Sequence, residues 1–86
     1  MTQDDDDDTE GQSAYLQSLL RRTKDLREAR NLSQAEAAQL IGVKLDAYKK
    51  YEQRSPLPHH LIPRFCRLVG TSEGFFLTGK NRRDEA

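Results

Sequence analysis

Residues 33–52 read SQAEAAQLIGVKLDAYKKYE, and the fold follows from how this stretch is divided. Ser33 and Glu36 form the Ser-x-x-Glu pattern of a capping box, in which two side chains satisfy two orphan backbone N–H groups at a helix start. Ala35, Ala37, Ala38, Leu40 and Ile41 then make a short helix rich in small residues. Gly42 stops it, where a chain leaving a helix commonly needs a left-handed residue. A second periodic run begins at once: Val43, Tyr48 and Tyr51 recur at near-helical spacing, with Lys44, Lys49 and Lys50 between them. The stretch is therefore two short helices set at an angle by a tight turn.

The flanks supply what those helices pack against. In residues 13–31, Tyr15, Leu16, Leu19, Leu20, Thr23, Leu26 and Ala29 fall on one face at spacings of three and four, which predicts a first helix with Ser13 as its N-cap. Arg21, Arg22, Lys24, Arg27 and Arg30 lie on the other face, as a phosphate-contacting strip or as solvated surface. Asn31 suits a left-handed C-terminal position. After the stretch, Arg54-Ser55-Pro56-Leu57-Pro58 breaks the periodicity and reads as a linker. Leu61, Ile62, Phe65, Cys66, Leu68 and Val69 give a fourth helix, with Pro63 tolerated in its first turn and Gly70 after it. Thr71, Ser72 and Glu73 open a short fifth helix that carries Phe75, Phe76 and Leu77 to Gly79. Adjacent aromatics cannot both enter one small core, so one of the two phenylalanines is expected at a surface suited to a dimer contact, or both wrap the core edge.

Eighty-six residues make one domain with a modest core. The formal charge is zero but unevenly placed. Residues 1–12 hold Asp4 to Asp8 and Glu10 and no Lys or Arg, a charge of −6; residues 13–86 hold all 14 Lys and Arg against eight acids, a charge of +6. A polar, like-charged block without branched apolar residues predicts a disordered acidic tail. A +6 body points towards nucleic acid. The tail has two readings: it competes with phosphates for the body's own basic face, or it solubilises. One cysteine cannot form an internal disulfide and suits a reducing compartment. No run approaches the roughly 18 apolar residues of a membrane span, and the acidic start has the wrong sign for a signal peptide. A soluble, cytoplasmic protein is expected.

The division of residues 33–52 resembles the helix-turn-helix of the Cro and phage-repressor type, often called Xre-like. The residues that carry the resemblance are Leu32-Ser33-Gln34 at the start of the second helix, Ala38 where the second and third helices approach, and Gly42-Val43 at the turn. Tyr48 and Tyr51 match as inward residues of the third helix, and Glu52 matches at its end. The similarity covers about residues 17–79. It implies an all-α fold, a compact five-helix lambda-repressor-like bundle over residues 13–79 with a charged end at 80–86. It also implies double-stranded DNA as partner, with the third helix in the major groove and the second across the backbone. By position Lys44, Leu45, Asp46, Lys49 and Lys50 would face DNA, and Gln34 would anchor a phosphate at a helix N-terminus. Arg27 and Glu52 match positions that form a buried ion pair in the family; otherwise they are a solvated cation and an exposed helix-end acid.

The chain departs from the family where bases are read. Members usually have Ser, Thr or Gln in the first turn of the third helix, whereas Lys44, Leu45 and Asp46 stand here. Leu45 can touch a thymine methyl; Asp46 can accept from cytosine N4 or act at the helix start through the dipole. Arg54 stands where the family often has glycine, as a backbone contact or a loop cation. No nucleophile–base–orienter set, Gly-rich phosphate loop or metal-ligand cluster is present: His59, His60 and Cys66 lack both the spacing and a fourth ligand. The expected function is a non-enzymatic, sequence-specific DNA-binding regulator, repressor-like, without cofactor, metal or implied small-molecule ligand, and with a homodimer expected from the family. The alternative is a helix-turn-helix scaffold used as a protein–protein adaptor or antitoxin-like module.

Overall fold

The computed structural model describes residues 2–80, with side chains from Ala14 onward. Those residues are all-helical. The order is α1 (Thr2–Ala29), α2 (Gln34–Ile41), α3 (Leu45–Gln53), a 3-10 turn at His59–Leu61, α4 (Ile62–Val69) and α5 (Glu73–Thr78). Helix α1 starts at Thr2, so the boundary expected at Ser13 lies inside it. Nothing between the two positions stops a helix: proline is absent, Gly11 costs only about 1 kcal/mol against alanine, and acids suit the N-terminal end of the helix dipole. The acidic stretch expected as a disordered tail thus carries backbone continuous with α1, while the described core begins only at Leu19. Of the charged end expected at residues 80–86, all but Lys80 lies outside the described residues.

The capping residues act where their types suggest. Ser33 Oγ accepts from the Glu36 N–H at 3.0 Å, and Glu36 Oε1 accepts from the Ser33 N–H at 2.8 Å, closing the box at the start of α2. At the other end Gly42 has φ +83°, and its N–H and that of Val43 both return to the Ala38 carbonyl at 2.9 Å. Asn31, at φ +59°, makes the equivalent left-handed exit after α1. Replacing Ser33 with alanine should cost about 1 kcal/mol, read as a lowered urea midpoint with an unchanged m-value.

Helices α2 and α3 pack against each other. Ala37 and Ala38 of α2 and Tyr48 of α3 are all buried in the same core. Phe65 of α4 and Phe76 of α5 close the far side, ring centroids 5.4 Å apart and tilted by 53°. Phe75, Phe76's neighbour, is only half-buried, so a single aromatic of that pair is a true core residue. Leu57, in the linker, is 4 % exposed and pins the chain between α3 and the 3-10 turn. Cys66 is buried as well; burial, with a smaller contribution from Glu73, pushes its thiol up to about 11, which makes it an inert packing residue.

The cations expected to form one strip on α1 divide by role. Arg22 Nη1 donates to the Phe76 carbonyl at 2.8 Å, near the end of α5. Arg30 Nε donates to the carbonyl of Val69, the last residue of α4, at 3.0 Å. On α4, Arg64 Nη1 reaches the carbonyl of Ile41, the last residue of α2, at 3.2 Å. Each places a cation on the orphan carbonyls at the negative end of another helix's dipole. Arg27 is 8 % exposed and faces α3. Arg21 and Lys24 are exposed and, among the described residues, form no ion pair.

Candidate nucleic-acid interface

Helix α3 is amphipathic by position. Tyr48 and Glu52 are buried, Tyr51 is half-buried against the Tyr48 ring at 6.2 Å, and Lys44, Leu45, Asp46, Lys49 and Lys50 are all exposed. With Arg54 just beyond, the outward side carries four cations and one acid. Lys44 is the N-cap and supplies no side-chain cap, because an ammonium can only donate and the orphan groups there are also donors. Asp46 therefore contributes charge to the first turn without being the cap. Among the described residues both ion pairs belong to Arg27, so Lys44, Asp46, Lys49 and Lys50 present unpaired charges.

Behind this surface a single carboxylate joins three helices. Glu52 accepts from Arg27 Nε at 2.7 Å and Arg27 Nη2 at 3.2 Å, from Gln34 Nε2 at 3.1 Å, and from the Tyr48 hydroxyl. Arg27 Nη1 continues to the Leu32 carbonyl in the turn between α1 and α2, at 2.6 Å. Burial alone would raise the Glu52 carboxyl. The hydrogen bonds from Arg27, then Tyr48 and Gln34, outweigh it and hold the group below its ordinary value. The Arg27 guanidinium is raised in turn, chiefly by its hydrogen bond to Glu52. The Tyr48 hydroxyl is raised by burial first and by Glu52 second. No buried side-chain nitrogen or oxygen among the described residues lacks a partner.

Gln34 is half-buried, and one N–H of its amide is taken by Glu52. Sequence reasoning assigned it to a phosphate and missed this bond, which links two residues 18 positions apart and leaves no periodic trace. The arginine contacts to Phe76, Val69 and Ile41 were missed for the same reason. His59 and His60 are exposed in the 3-10 turn while Cys66 is buried. Among the described residues no group of three or more His, Cys, Asp or Glu could hold a metal ion. No described helix is long and apolar enough to cross a membrane.

Two short helices joined at a left-handed glycine, the second presenting a cationic outer side, define a helix-turn-helix protein of the DNA-binding class. Residues 18–74, 57 of the chain's 86, match the family model described as Helix-turn-helix domain, and the chain belongs to that family. No curated protein and no solved structure matches it.

Proposed function

We propose that this chain is a sequence-specific transcriptional regulator of the Cro and phage-repressor type, which binds double-stranded DNA by laying α3 in the major groove. The observation that carries the reading is the division of α3 into a side locked by the Glu52 carboxylate and a side of unpaired charges. A groove-reading helix needs both: a fixed orientation and free hydrogen-bonding groups. Lys44, Lys49, Lys50 and Arg54 supply cations for phosphates, and Lys49 or Lys50 can also donate to guanine. Gln34 keeps a second amide N–H besides the one given to Glu52, and that donor serves a phosphate at the start of α2. A dimer would place two such helices one DNA turn apart, on a site with matching two-fold symmetry. Repression follows from occupancy alone, since a domain bound over a promoter excludes other proteins.

Lys49→Ala and Lys50→Ala are each expected to weaken binding to duplex DNA with thermal unfolding unchanged, and Lys49→Ala to do so across sequences, lowering the salt slope by about one. Unchanged affinity in both variants overturns the assignment of α3. An adaptor or antitoxin-like role is favoured instead if the chain shows no salt-dependent DNA binding, with or without residues 1–12. Exposed Leu40 and Leu45 are then the natural contact points for a protein partner.

A further inference from the structure

Asp46 is the one acid on the outward side of α3. It stands among Lys44, Lys49, Lys50 and Arg54, all exposed, and it neither caps the helix nor forms an ion pair among the described residues. An ionised carboxylate is acceptor-only. On a surface applied to DNA it therefore finds no partner on the backbone, where phosphates are acceptors and repel it. Its only partners on the DNA itself are the amino groups on base edges. Resting on the groove-binding reading above, we propose that Asp46 is the specificity-determining residue of the interface, accepting from cytosine N4, with Lys50 donating to guanine of the same or the next base pair.

The choice of cytosine over adenine comes from what lies beside each amino group. Adenine N6 stands next to N7, an acceptor that repels a carboxylate, whereas cytosine offers a donor alone on its major-groove edge. Thymine O4 and the O6 and N7 of guanine are acceptors too. A wrong base thus leaves a desolvated charge facing like polarity, so discrimination comes from exclusion as well as attraction. The choice of Lys50 over Lys49 comes from helical geometry. At 3.6 residues per turn, position i+4 lies about 40° from position i around the axis and position i+3 about 60°, so Lys50 stands more nearly over Asp46. A carboxylate and an ammonium one turn apart, not joined to each other, match the donor and acceptors that one C·G pair presents.

The test is selection of binding sites from randomised duplexes by the full chain, repeated with Asp46→Ala, Asp46→Asn and Lys50→Ala, with melting temperatures to check folding. The wild-type chain should select a position where cytosine is preferred about tenfold or more. Asp46→Ala should flatten that position while affinity for unselected DNA holds or rises. Asp46→Asn, nearly the same size, should move the preference to adenine, whose N6 and N7 an amide reads together. Lys50→Ala should lose the paired or adjacent guanine. A cytosine preference that survives Asp46→Ala, or a wild-type selection with no such position, overturns the proposal while DNA binding stands. A wild-type chain that binds no duplex overturns it together with the groove-binding reading.

Discussion

Replacing Glu52 with alanine is expected to destabilise the domain by about 3–5 kcal/mol, a large part of the stability of a chain this size. The change leaves the Arg27 guanidinium buried without its counter-charge and removes the acceptor shared by Tyr48 and Gln34. Most of the cost is those stranded donors, so deleting both charges should be milder than deleting one. Arg27→Met combined with Glu52→Leu should recover much of the loss, because an apolar pair of similar volume needs no desolvation of ions. Urea unfolding of the two single variants and the double variant measures the coupling. If Glu52→Ala costs less than about 1 kcal/mol, the carboxylate does not hold the three helices together.

The same group sets a pH dependence whose sign is fixed. The folded Glu52 carboxyl lies below its ordinary value of 4.5. Its contribution is therefore complete above pH 4.5 and is lost as pH falls through the lower folded value. Glu52→Gln keeps the shape and cannot titrate there, so its stability curve should be flatter on the acid side than that of the wild type.

The second large effect is that of salt on DNA affinity. If Lys44, Lys49 and Arg54 each neutralise one phosphate, log K falls against log salt with a slope near −0.9 per contact, about −2.7 for one domain. A change from 50 to 200 mM salt then weakens binding by roughly 40-fold. Fluorescence anisotropy on a labelled duplex gives the slope directly. A slope near zero would contradict phosphate contact by α3. The same titration without residues 1–12 separates the two readings of the acidic stretch: tighter binding on its removal marks competition with phosphates, and equal binding marks a solubilising role.

Features local in sequence were legible from it. The Ser33–Glu36 box, the glycine and asparagine exits, the inward Tyr48 and the outward lysines each depend on residues within about one helical turn. The capping pattern at Ser13 misled because a cap residue permits a helix start without requiring one, and nothing upstream breaks the helix. The 3-10 turn at His59–Leu61 and the burial of Leu57 were also hidden. Two prolines mark an irregular segment but do not say which of its residues turns inward.

The charged residues divide most clearly. By itself the sequence determined that this is an all-helical domain with a glycine-turned pair of short helices, and that its cations lie outside the acidic stretch. Periodicity and capping are one-dimensional signals, and they suffice for that. Only the tertiary structure decided which cations are free. Arg22, Arg30 and Arg64 bind the carbonyl ends of other helices, Arg27 is buried against Glu52, and Gln34 shares the same carboxylate. Those partners are 18 to 54 positions away in the chain. A guanidinium's role is set by which acceptor folding brings to it, so an arginine in a helical stripe reads identically whether it will meet water, phosphate or another helix. Lys44, Leu45, Asp46, Lys49 and Lys50 are exposed as their spacing predicts, because the helix that carries them also fixes, within two turns, which of its sides is apolar.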